Sequence, residues 1–498
     1  MRRPLLLLLA GALAVSACSN TTSDGNDGAT DVPVTSAPMS STSGVGFPLP
    51  TLEWTECGDN LQCATLVAPL DYTDPAGESV RLTVTRHLAR KPKQRIGSLL
   101  VNPGGPGLDA KFLVEAAPAM FTEDLLNRFD IVGMDPRGTG GSTPSIDCID
   151  EYDPYFAAEF PDTPEGKEQD IALVKKLADA CYQRSGDLLA HVSTLDVARD
   201  MDLLRRVLGE DRISYFGFSY GSELGAAWVT MFPSSVRAAV FDGAVDPTAS
   251  GMQESIDQAR GFESALTSFL EFCSEKCSFP AGRDPGSAFD EIISLIDRGE
   301  IPTSAGRPSL NLSITYSAIA NALYSEMLWP QLDGALDAAE DGDGGPMLSL
   351  YDDYYRRRQD GTYPNLIEAF IAISCADDRG PTTVEGVDAY YDEILAAAPR
   401  LAPAFRGGYA CVFWPVPSAP TIELTGRGAG PILVIGTTND PATPLAGTQK
   451  MADTMEGGVL ITVAGEGHLG YRQSKCAREL VDDYLVDGKV PSADVTCD

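Results

Sequence analysis

The sequence is poor in histidine and in positively charged side chains. It has three histidines, which lie far apart, and no cysteines or histidines at the CxxC or HxxxH spacing of metal sites. It has 37 lysines and arginines against 71 aspartates and glutamates, a formal net charge of −34. Because nucleic-acid binding requires clustered cations, this charge argues against DNA or RNA as a partner. No metal or organic cofactor is expected.

Long apolar runs are missing beyond the N-terminus. The first residues, MRRPLLLLLAGALAVSAC, have a basic start, an apolar run too short to cross a bilayer, and small residues before Cys18. They predict a signal peptide over residues 1–17. VSAC also resembles the lipobox of bacterial lipoproteins, which predicts cleavage before Cys18 and lipidation of its sulfur. The alternative is cleavage nearby without a lipid.

These features predict an exported protein. We expect a cell-envelope lipoprotein on the outer face of the cytoplasmic membrane, attached only through lipidated Cys18, with a secreted fraction. The other ten cysteines are an even number, which predicts five disulfides outside the reducing cytoplasm. Sequence does not determine their connectivity, and we expect near neighbours to pair: Cys57–Cys63, Cys148–Cys181, Cys273–Cys277, Cys375–Cys411 and Cys476–Cys497.

Composition and periodicity divide the rest of the chain. Residues 18–46 are rich in Ser, Thr, Gly and Asp and predict a flexible tether. In residues 47–247, short apolar strands alternate with helices, which is typical of a mostly parallel sheet with helices on both faces. Within this part, residues 194–209 predict a helix capped by Thr194 or Asp196 and ended by Gly209.

The alternation stops at residue 248. Residues 248–425 are mainly helical and predict a cap over the sheet's C-terminal edge, where ligands of open α/β sheets bind. Residues 426–498 then resume the core with the last two strands of the sheet. We expect a monomer.

The stretch GFSYG, residues 217–221, lies between a strand-like and a helix-like segment. A serine between two glycines at that position is typical of a nucleophile elbow, a turn so tight that only small residues fit around the exposed hydroxyl. A serine hydroxyl is a poor nucleophile without a base. Ser219 therefore requires a histidine and an orienting carboxylate later in the chain.

His468 and Asp440 fit this requirement. Each follows a late strand, and His468 lies between glycines on a loop. His87 and His191 precede Ser219 and do not fit the order. Asp242 and Asp246 follow an earlier strand and stay open as alternatives to Asp440, with loop or helix capping as their other interpretation.

Hydrolysis of an acyl group also needs backbone N–H donors for the tetrahedral oxyanion. The residue after the nucleophile, Tyr220, supplies one, and the glycine-rich loop NPGGPG, residues 102–107, supplies the second through Gly105. The alternative for this loop is an ordinary turn at a strand end. In DPRGTGGS, we expect Asp135 and Arg137 to hold loops together.

Six motifs together resemble one family: NPGGPG, DPRGTGGS, GFSYGSELGA, FDGAVDP, GTTNDPATP and GEGHLGY, with ACVFWPVP before the late strands. From about residue 50 onward the chain resembles the exported tripeptidyl aminopeptidases, relatives of prolyl iminopeptidase with the α/β-hydrolase fold. Prolyl iminopeptidases usually have HGGPG, whereas here Asn102 and Pro103 precede the glycines, as in the tripeptidyl branch. The resemblance implies a serine exopeptidase with Ser219, Asp440 and His468 as its triad and Gly105 and Tyr220 as oxyanion donors.

An aminopeptidase must bind the ammonium group of its substrate. Glu223, Asp377 and Asp378 are candidates, although a carboxylate at a helix end can also serve only the helix dipole. Two alternatives to a peptidase stay open. One is an esterase or amidase on the same scaffold, and the other is a lipoprotein that binds peptides without catalysis.

Overall fold

A computed structural model of the chain describes residues 47–299, 301–378 and 380–498. The predicted signal peptide, the lipidation site Cys18 and the predicted tether lie outside these residues. In the part of the chain that the structure describes, no helix combines the length and apolar character needed to cross a membrane.

The described residues form one sheet of ten strands in the order β1-β2-β3-β5-β4-β6-β7-β8-β9-β10. The strands are β1 Thr55–Gly58, β2 Leu61–Pro69, β3 Ser79–His87, β4 Gly97–Asn102, β5 Phe129–Met134, β6 Ile213–Phe218, β7 Val236–Asp242, β8 Ile432–Asn439, β9 Gly458–Glu466 and β10 Val495–Cys497. From β5 to β10 all neighbours are parallel, and β1, β2 and β3 add antiparallel pairs at one edge.

Helices follow most of the strands. They are α1 Ala110–Glu115, α2 Ala117–Met120, α3 Glu123–Arg128, α4 Asp153–Phe156, α5 Pro164–Ser185, α6 Thr194–Val207, α7 Tyr220–Met231, α8 Gly251–Lys276, α9 Pro285–Arg298, α10 Leu312–Leu323, α11 Trp329–Glu340, α12 Gly345–Tyr354, α13 Leu366–Asp377, α14 Val384–Asp388, α15 Tyr391–Ala397, α16 Leu445–Thr454 and α17 Lys475–Asp487.

The central strands are buried on both faces, which confirms the predicted α/β class. Every residue of β4, β5 and β6 is buried. Alternate residues of one strand pack into two separate cores: Leu100 lies in one, and Leu99 and Val101 lie in the other. A strand covered on both sides has no solvent face, and this explains its unbroken apolar sequence.

Helices α8 to α15 lie between β7 and β8 in the chain. We call them the inserted helices; they fall within the segment 248–425 that the sequence predicts as a cap. Three strands follow them, one more than expected, because residues near the C-terminus add the short strand β10 beside β9. The C-terminal disulfide, Cys476–Cys497, joins β10 to α17.

The five disulfides in the structure are those expected from near-neighbour pairing. The helix start near residue 194 differs from the expectation. Ser193 caps α6, with its side chain accepting a hydrogen bond from the backbone N–H of Asp196. Thr194 makes different contacts, which are described below.

Candidate active site

Ser219 occupies the turn between β6 and α7, with φ 54° and ψ −126°. This conformation is strained for a residue with a side chain, and such strain is common at functional turns. A Cβ atom on Gly217 would lie 2.1 Å from the carbonyl oxygen of Gly221, and one on Gly221 would lie 2.9 Å from the carbonyl oxygen of Asn102. A side chain at either position would collide with backbone atoms, so both positions of the motif require glycine.

The structure brings His468 and Asp440 together. The Nδ1 atom of His468 lies 2.9 Å from Oδ1 and 2.8 Å from Oδ2 of Asp440. The side chains are 4% and 0% exposed, so water does not screen this pair. A carboxylate in this position holds the imidazole with its proton on Nδ1 and leaves Nε2 free to accept one.

Asp440 is itself held by a short turn. Its Oδ1 accepts hydrogen bonds from the backbone N–H groups of Ala442 at 3.0 Å and Thr443 at 2.9 Å. The hydroxyl of Thr443 lies 3.1 Å from Asp440 Oδ2 and 3.2 Å from His468 Nδ1. Sequence reasoning missed Thr443, although its position three residues after the acid is a signal that could have found it.

The other imidazole nitrogen of His468 is unpaired. Its Nε2 is buried and has no hydrogen-bond partner among the described residues. The backbone N–H of Ser219 donates to the carbonyl of Asp242 at 2.8 Å. A Cβ atom on the next residue, Gly243, would lie 2.9 Å from Cε1 of His468. The end of β7 thus connects the nucleophile turn to the histidine.

Asp242 and Asp246, the alternatives to Asp440, have other partners. Asp242 is buried and accepts hydrogen bonds from the backbone N–H groups of Gly470 at 2.7 Å and Tyr471 at 3.0 Å. Burial raises its pKa to about 6. Asp246 accepts from the backbone and hydroxyl of Thr248. Asp242 thus holds the loop that carries His468, and neither residue contacts the imidazole by a hydrogen bond.

Three other residues discussed above make contacts with other parts of the fold. Asp135 accepts hydrogen bonds from backbone N–H groups at the start of α1. Arg137 is fully buried and binds Asp200 through two nitrogens, both at 2.8 Å. His87, in β3, lies against the side-chain amide of Asn60.

The glycine-rich loop after β4 packs directly against the nucleophile turn. Gly104 has φ +92°, and a Cβ atom there would lie 2.5 Å from Phe218 O, 2.9 Å from Ser219 Cβ and 3.2 Å from Tyr220 N. Gly105 and Tyr220 line the same cavity as Ser219. The N–H of Tyr220 is in the first turn of α7, where no intrahelical acceptor exists.

Replacing Gly104 by alanine is expected to lower activity about 100-fold, the loss typical of one misplaced oxyanion donor. The new methyl group would push the loop away from Ser219 and Tyr220. Gly209→Ala is the matched control, because Gly209 has φ +73° but no heavy atom within 4 Å of the place a methyl group would take. Both variants place alanine at a positive φ, so both carry backbone strain. A difference between them in turnover of a nitrophenyl ester therefore measures the effect of the collision between the new methyl group and the turn at Ser219. Equal activity in the two variants would contradict this role for Gly104.

A cavity of about 490 Å³ opens at Ser219. The inserted helices α8 and α13, the start of α7 and the loop after β8 form its walls. Its charged lining is mostly acidic, with two basic residues, Arg260 and Lys450, against seven carboxylates: Glu223, Asp246, Glu254, Asp257, Asp377, Asp378 and Asp440. All three carboxylates predicted as ammonium ligands are among them.

Asp377 is a partly buried carboxylate of this lining with two hydrogen-bond donors from one residue. It accepts hydrogen bonds from the backbone N–H of Thr194 at 3.0 Å and from its hydroxyl at 2.7 Å. Burial, and after it the negative charge of Glu223, raises the pKa of Asp377 to about 8. Thr194 Oγ1 also lies 2.5 Å from the hydroxyl of Tyr220, which links this carboxylate to the residue after the nucleophile.

Within residues 47–299, 301–378 and 380–498, no three His, Cys, Asp or Glu side chains are grouped so that they could bind a metal ion. The groups that the structure brings together at this site are the serine, the buried histidine–carboxylate pair, the backbone N–H groups and the carboxylates of the cavity.

Comparison with known proteins gives two family matches and several similar relatives. Residues 97–278 match the family described as alpha/beta hydrolase fold, and residues 402–497 match the family described as TAP-like protein. The chain is 36% identical over 481 residues to carboxylesterase B of Mycobacterium tuberculosis, covering 92% of each chain. It is 34% identical over 483 residues to serine protease Hip1 of the same species, covering 90% of this chain and 91% of Hip1. A tripeptidyl aminopeptidase of Streptomyces lividans is 29% identical over 473 residues, covering 90% of this chain and 86% of the aminopeptidase.

Proposed function

The chain belongs to the α/β hydrolases with a TAP-like C-terminal region and is a serine hydrolase, and we propose that it is an aminopeptidase that releases short peptides, of the tripeptidyl type, from free N-termini. The observation that carries the proposal is the acidic cavity at the nucleophile turn. An ammonium group is the natural partner of such a lining. A tripeptidyl aminopeptidase among the relatives supports the same substrate class.

In the proposed reaction, Ser219 Oγ attacks the scissile carbonyl while His468 Nε2 takes its proton. The unpaired, buried Nε2 is the atom that this step needs. Asp440 keeps the imidazole in the right tautomer and stabilises the imidazolium. The N–H groups of Gly105 and Tyr220 stabilise the oxyanion. His468 then gives the proton to the leaving amine, and water, activated by the same histidine, hydrolyses the acyl-enzyme.

We propose Asp377 as the main ligand of the substrate ammonium, assisted by Glu223 and Asp378. Asp377 has two donors from Thr194 that fix its orientation, and it lines the cavity that contains Ser219. Burial, and after it the negative charge of Glu223, raises the pKa of Asp377, so an incoming cation compensates the buried negative charge as well as the repulsion between the two carboxylates.

The experiment that tests the function is hydrolysis by a soluble form that begins near residue 47. Its substrates are one peptide chromophore series with free and acetylated N-termini, and a short nitrophenyl ester. Turnover of the free-amine peptides, but not of the acetylated ones, is expected, and the same serine should also hydrolyse the activated ester. Equal turnover of the acetylated peptides would contradict an aminopeptidase, and turnover of the ester alone would contradict a peptidase.

Asp377→Asn is expected to raise KM for free-amine peptides about tenfold or more, which corresponds to about 1.4 kcal/mol of lost binding. Its pH dependence gives a second readout. Because the pKa of Asp377 is raised to about 8, the carboxylate is increasingly protonated as the pH falls below 8, and KM of the unmodified protein should rise between pH 8 and pH 6. Asparagine removes this contribution to the dependence of KM on pH.

The ester is the control for this prediction. It has no ammonium group, so its kcat/KM in Asp377→Asn should stay within about twofold of the starting protein. An equal loss on peptide and ester would mean that Asp377 acts through the structure of the site and not through the ammonium.

An esterase is the second candidate. Carboxylesterase B, at 36% identity, supports it, and so do the apolar residues Phe370 and Leu424 in the cavity wall. The same substrate panel distinguishes the two functions, since only the peptidase requires a free amine.

We also propose that residues 248–425 act as a cap over the cavity and that the protein is exported. The five disulfides support an oxidising compartment. Lipidation of Cys18 and the monomeric state stay predictions. Metabolic labelling with a fatty acid, compared between the natural sequence and Cys18→Ala, tests the anchor.

A further inference from the structure

One side of the inserted helix α8 lies against the loop that carries Asp440. The side-chain amide of Gln258 donates to the carbonyl of Ala442 at 3.0 Å. A Cβ atom on Gly261 would lie 2.5 Å from the carbonyl oxygen of Pro441. These two residues are three apart, so they share one face of the helix. Helix α8 therefore contacts backbone carbonyls of the loop that carries Asp440, which we call the acid loop; the loop that carries His468 is the base loop.

The same face continues to the strand that leads to His468. Ser264 Oγ donates to Oδ1 of Asn439 at 2.7 Å, and Ser268 Oγ donates to Oε1 of Glu466 at 3.2 Å. Asn439 in turn donates to Ser268 Oγ at 3.1 Å and to Glu466 Oε2 at 2.5 Å. Asn439 precedes Asp440 directly, and Glu466 is two residues before His468. The two serines thus bind the last residues of β8 and β9, which lead directly into the acid loop and the base loop.

Tyr324, at the end of α10, contacts His468 itself. Its carbonyl accepts the backbone N–H of His468 at 2.9 Å. Its ring stands edge-to-face to the imidazole, with ring centroids 5.5 Å apart and planes at 69°. On its other side the ring packs against Phe262 of α8, at 5.4 Å. The end of α10, a second inserted helix, therefore contacts both His468 and α8.

We propose that α8 and Tyr324 position the Asp440–His468 pair relative to Ser219, and that Ser264 and Ser268 are positioning residues of the reaction. This inference rests on the proposed roles of the three residues. Beyond the last pair of β8 and β9, Asn439 with Glu466, the two segments stay in contact through a hydrogen bond from the backbone N–H of Gly467 to the carbonyl of Asn439 at 3.1 Å. The serine contacts lie just where that pairing ends. A displacement of the base by about 1 Å can cost about 100-fold in rate, so these contacts bear on kcat.

Movement of α8 away from the core would break these contacts, so the acid and the base keep their observed positions only while α8 stays in place. The inserted helices then serve two purposes: α13 carries Asp377, the proposed ammonium ligand, and α8 holds the proton-transfer pair.

The test compares Ser264→Ala, Ser268→Ala and the double variant. The measurements are the rate at which a fluorophosphonate labels Ser219, kcat and KM on a free-amine peptide, and the melting temperature. In the double variant we expect labelling and kcat to fall about 10- to 100-fold while KM stays within about twofold. Ser268→Thr keeps the hydroxyl and should recover most of the rate.

Thr267→Ala is the matched control on the same helix. Thr267 is exposed, and its hydroxyl bonds to the carbonyl of Glu263 one turn earlier. Its labelling rate should equal that of the starting protein. If the folded double variant is labelled as fast as Thr267→Ala, the inference is overturned. Should the double variant not fold, the single variant Ser268→Ala decides between the same two results. Absence of labelling at Ser219 in the unmodified protein would instead overturn the proposed function.

Discussion

Ser219→Ala is expected to lower hydrolysis about a millionfold and to leave the folded structure unchanged. The hydroxyl is the atom that the proposed mechanism consumes in acylation, and no other group replaces it. Alanine keeps the Cβ atom, so the strained φ of 54° at this position is neither relieved nor increased. The measurement is kcat/KM on peptide and ester together with the melting temperature.

The matched control is Ser274→Ala, which removes an exposed hydroxyl bonded to the carbonyl of Glu271. It should retain full activity. Activity of Ser219→Ala within about tenfold of the starting protein would refute Ser219 as the nucleophile. A loss of activity accompanied by unfolding would point to a structural role for the turn and would require the labelling experiment to decide.

Asp440→Asn is expected to lower kcat about 10⁴-fold. Asp440 Oδ1 is occupied by the N–H groups of Ala442 and Thr443, so an asparagine would keep its carbonyl oxygen there and turn its NH₂ toward His468. The imidazole would then be held with its proton on Nε2, the tautomer that cannot accept the serine proton. Protonation of the leaving group would fail for the same reason. Because side-chain volume is nearly unchanged, the melting temperature should change little.

Asp242→Asn is the informative comparison. Asp242 holds the backbone of Gly470 and Tyr471 and makes no hydrogen bond to the imidazole. We expect it to affect stability more than the tautomer of His468, and kcat far less than Asp440→Asn does. The opposite order of the two losses would make Asp242 the orienting carboxylate and refute the assignment of Asp440.

The short-range features of this protein could be predicted from its sequence. The elbow around Ser219 depends on residues adjacent in the chain, because glycines at 217 and 221 decide whether the turn can form. The parallel sheet follows from unbroken apolar strands alternating with helices. The five disulfides join near neighbours, and a pairing rule based on chain separation was sufficient for them.

Other features were predicted wrongly from the sequence or were not predicted at all. Thr194 or Asp196 was expected as a helix cap, but Ser193 takes that place and Thr194 binds Asp377, which is 183 residues away. The third strand after the inserted helices, β10, is three residues long and has no periodicity that could reveal it. Tyr324 and the serines of α8 have no motif, and their positions near His468 depend on how the inserted helices return to the sheet.

By itself, the sequence determined the fold class and the position of the tight turn around Ser219, and it predicted the order of serine, carboxylate and histidine along the chain. These depend on local backbone geometry and on hydrophobic periodicity, which neighbouring residues specify. Only the tertiary structure decided that Asp440, and not Asp242, contacts His468, and that Asp377 lines the cavity with a raised pKa. Those properties depend on burial and on contacts between distant segments, and a carboxylate's sequence neighbours do not specify either one.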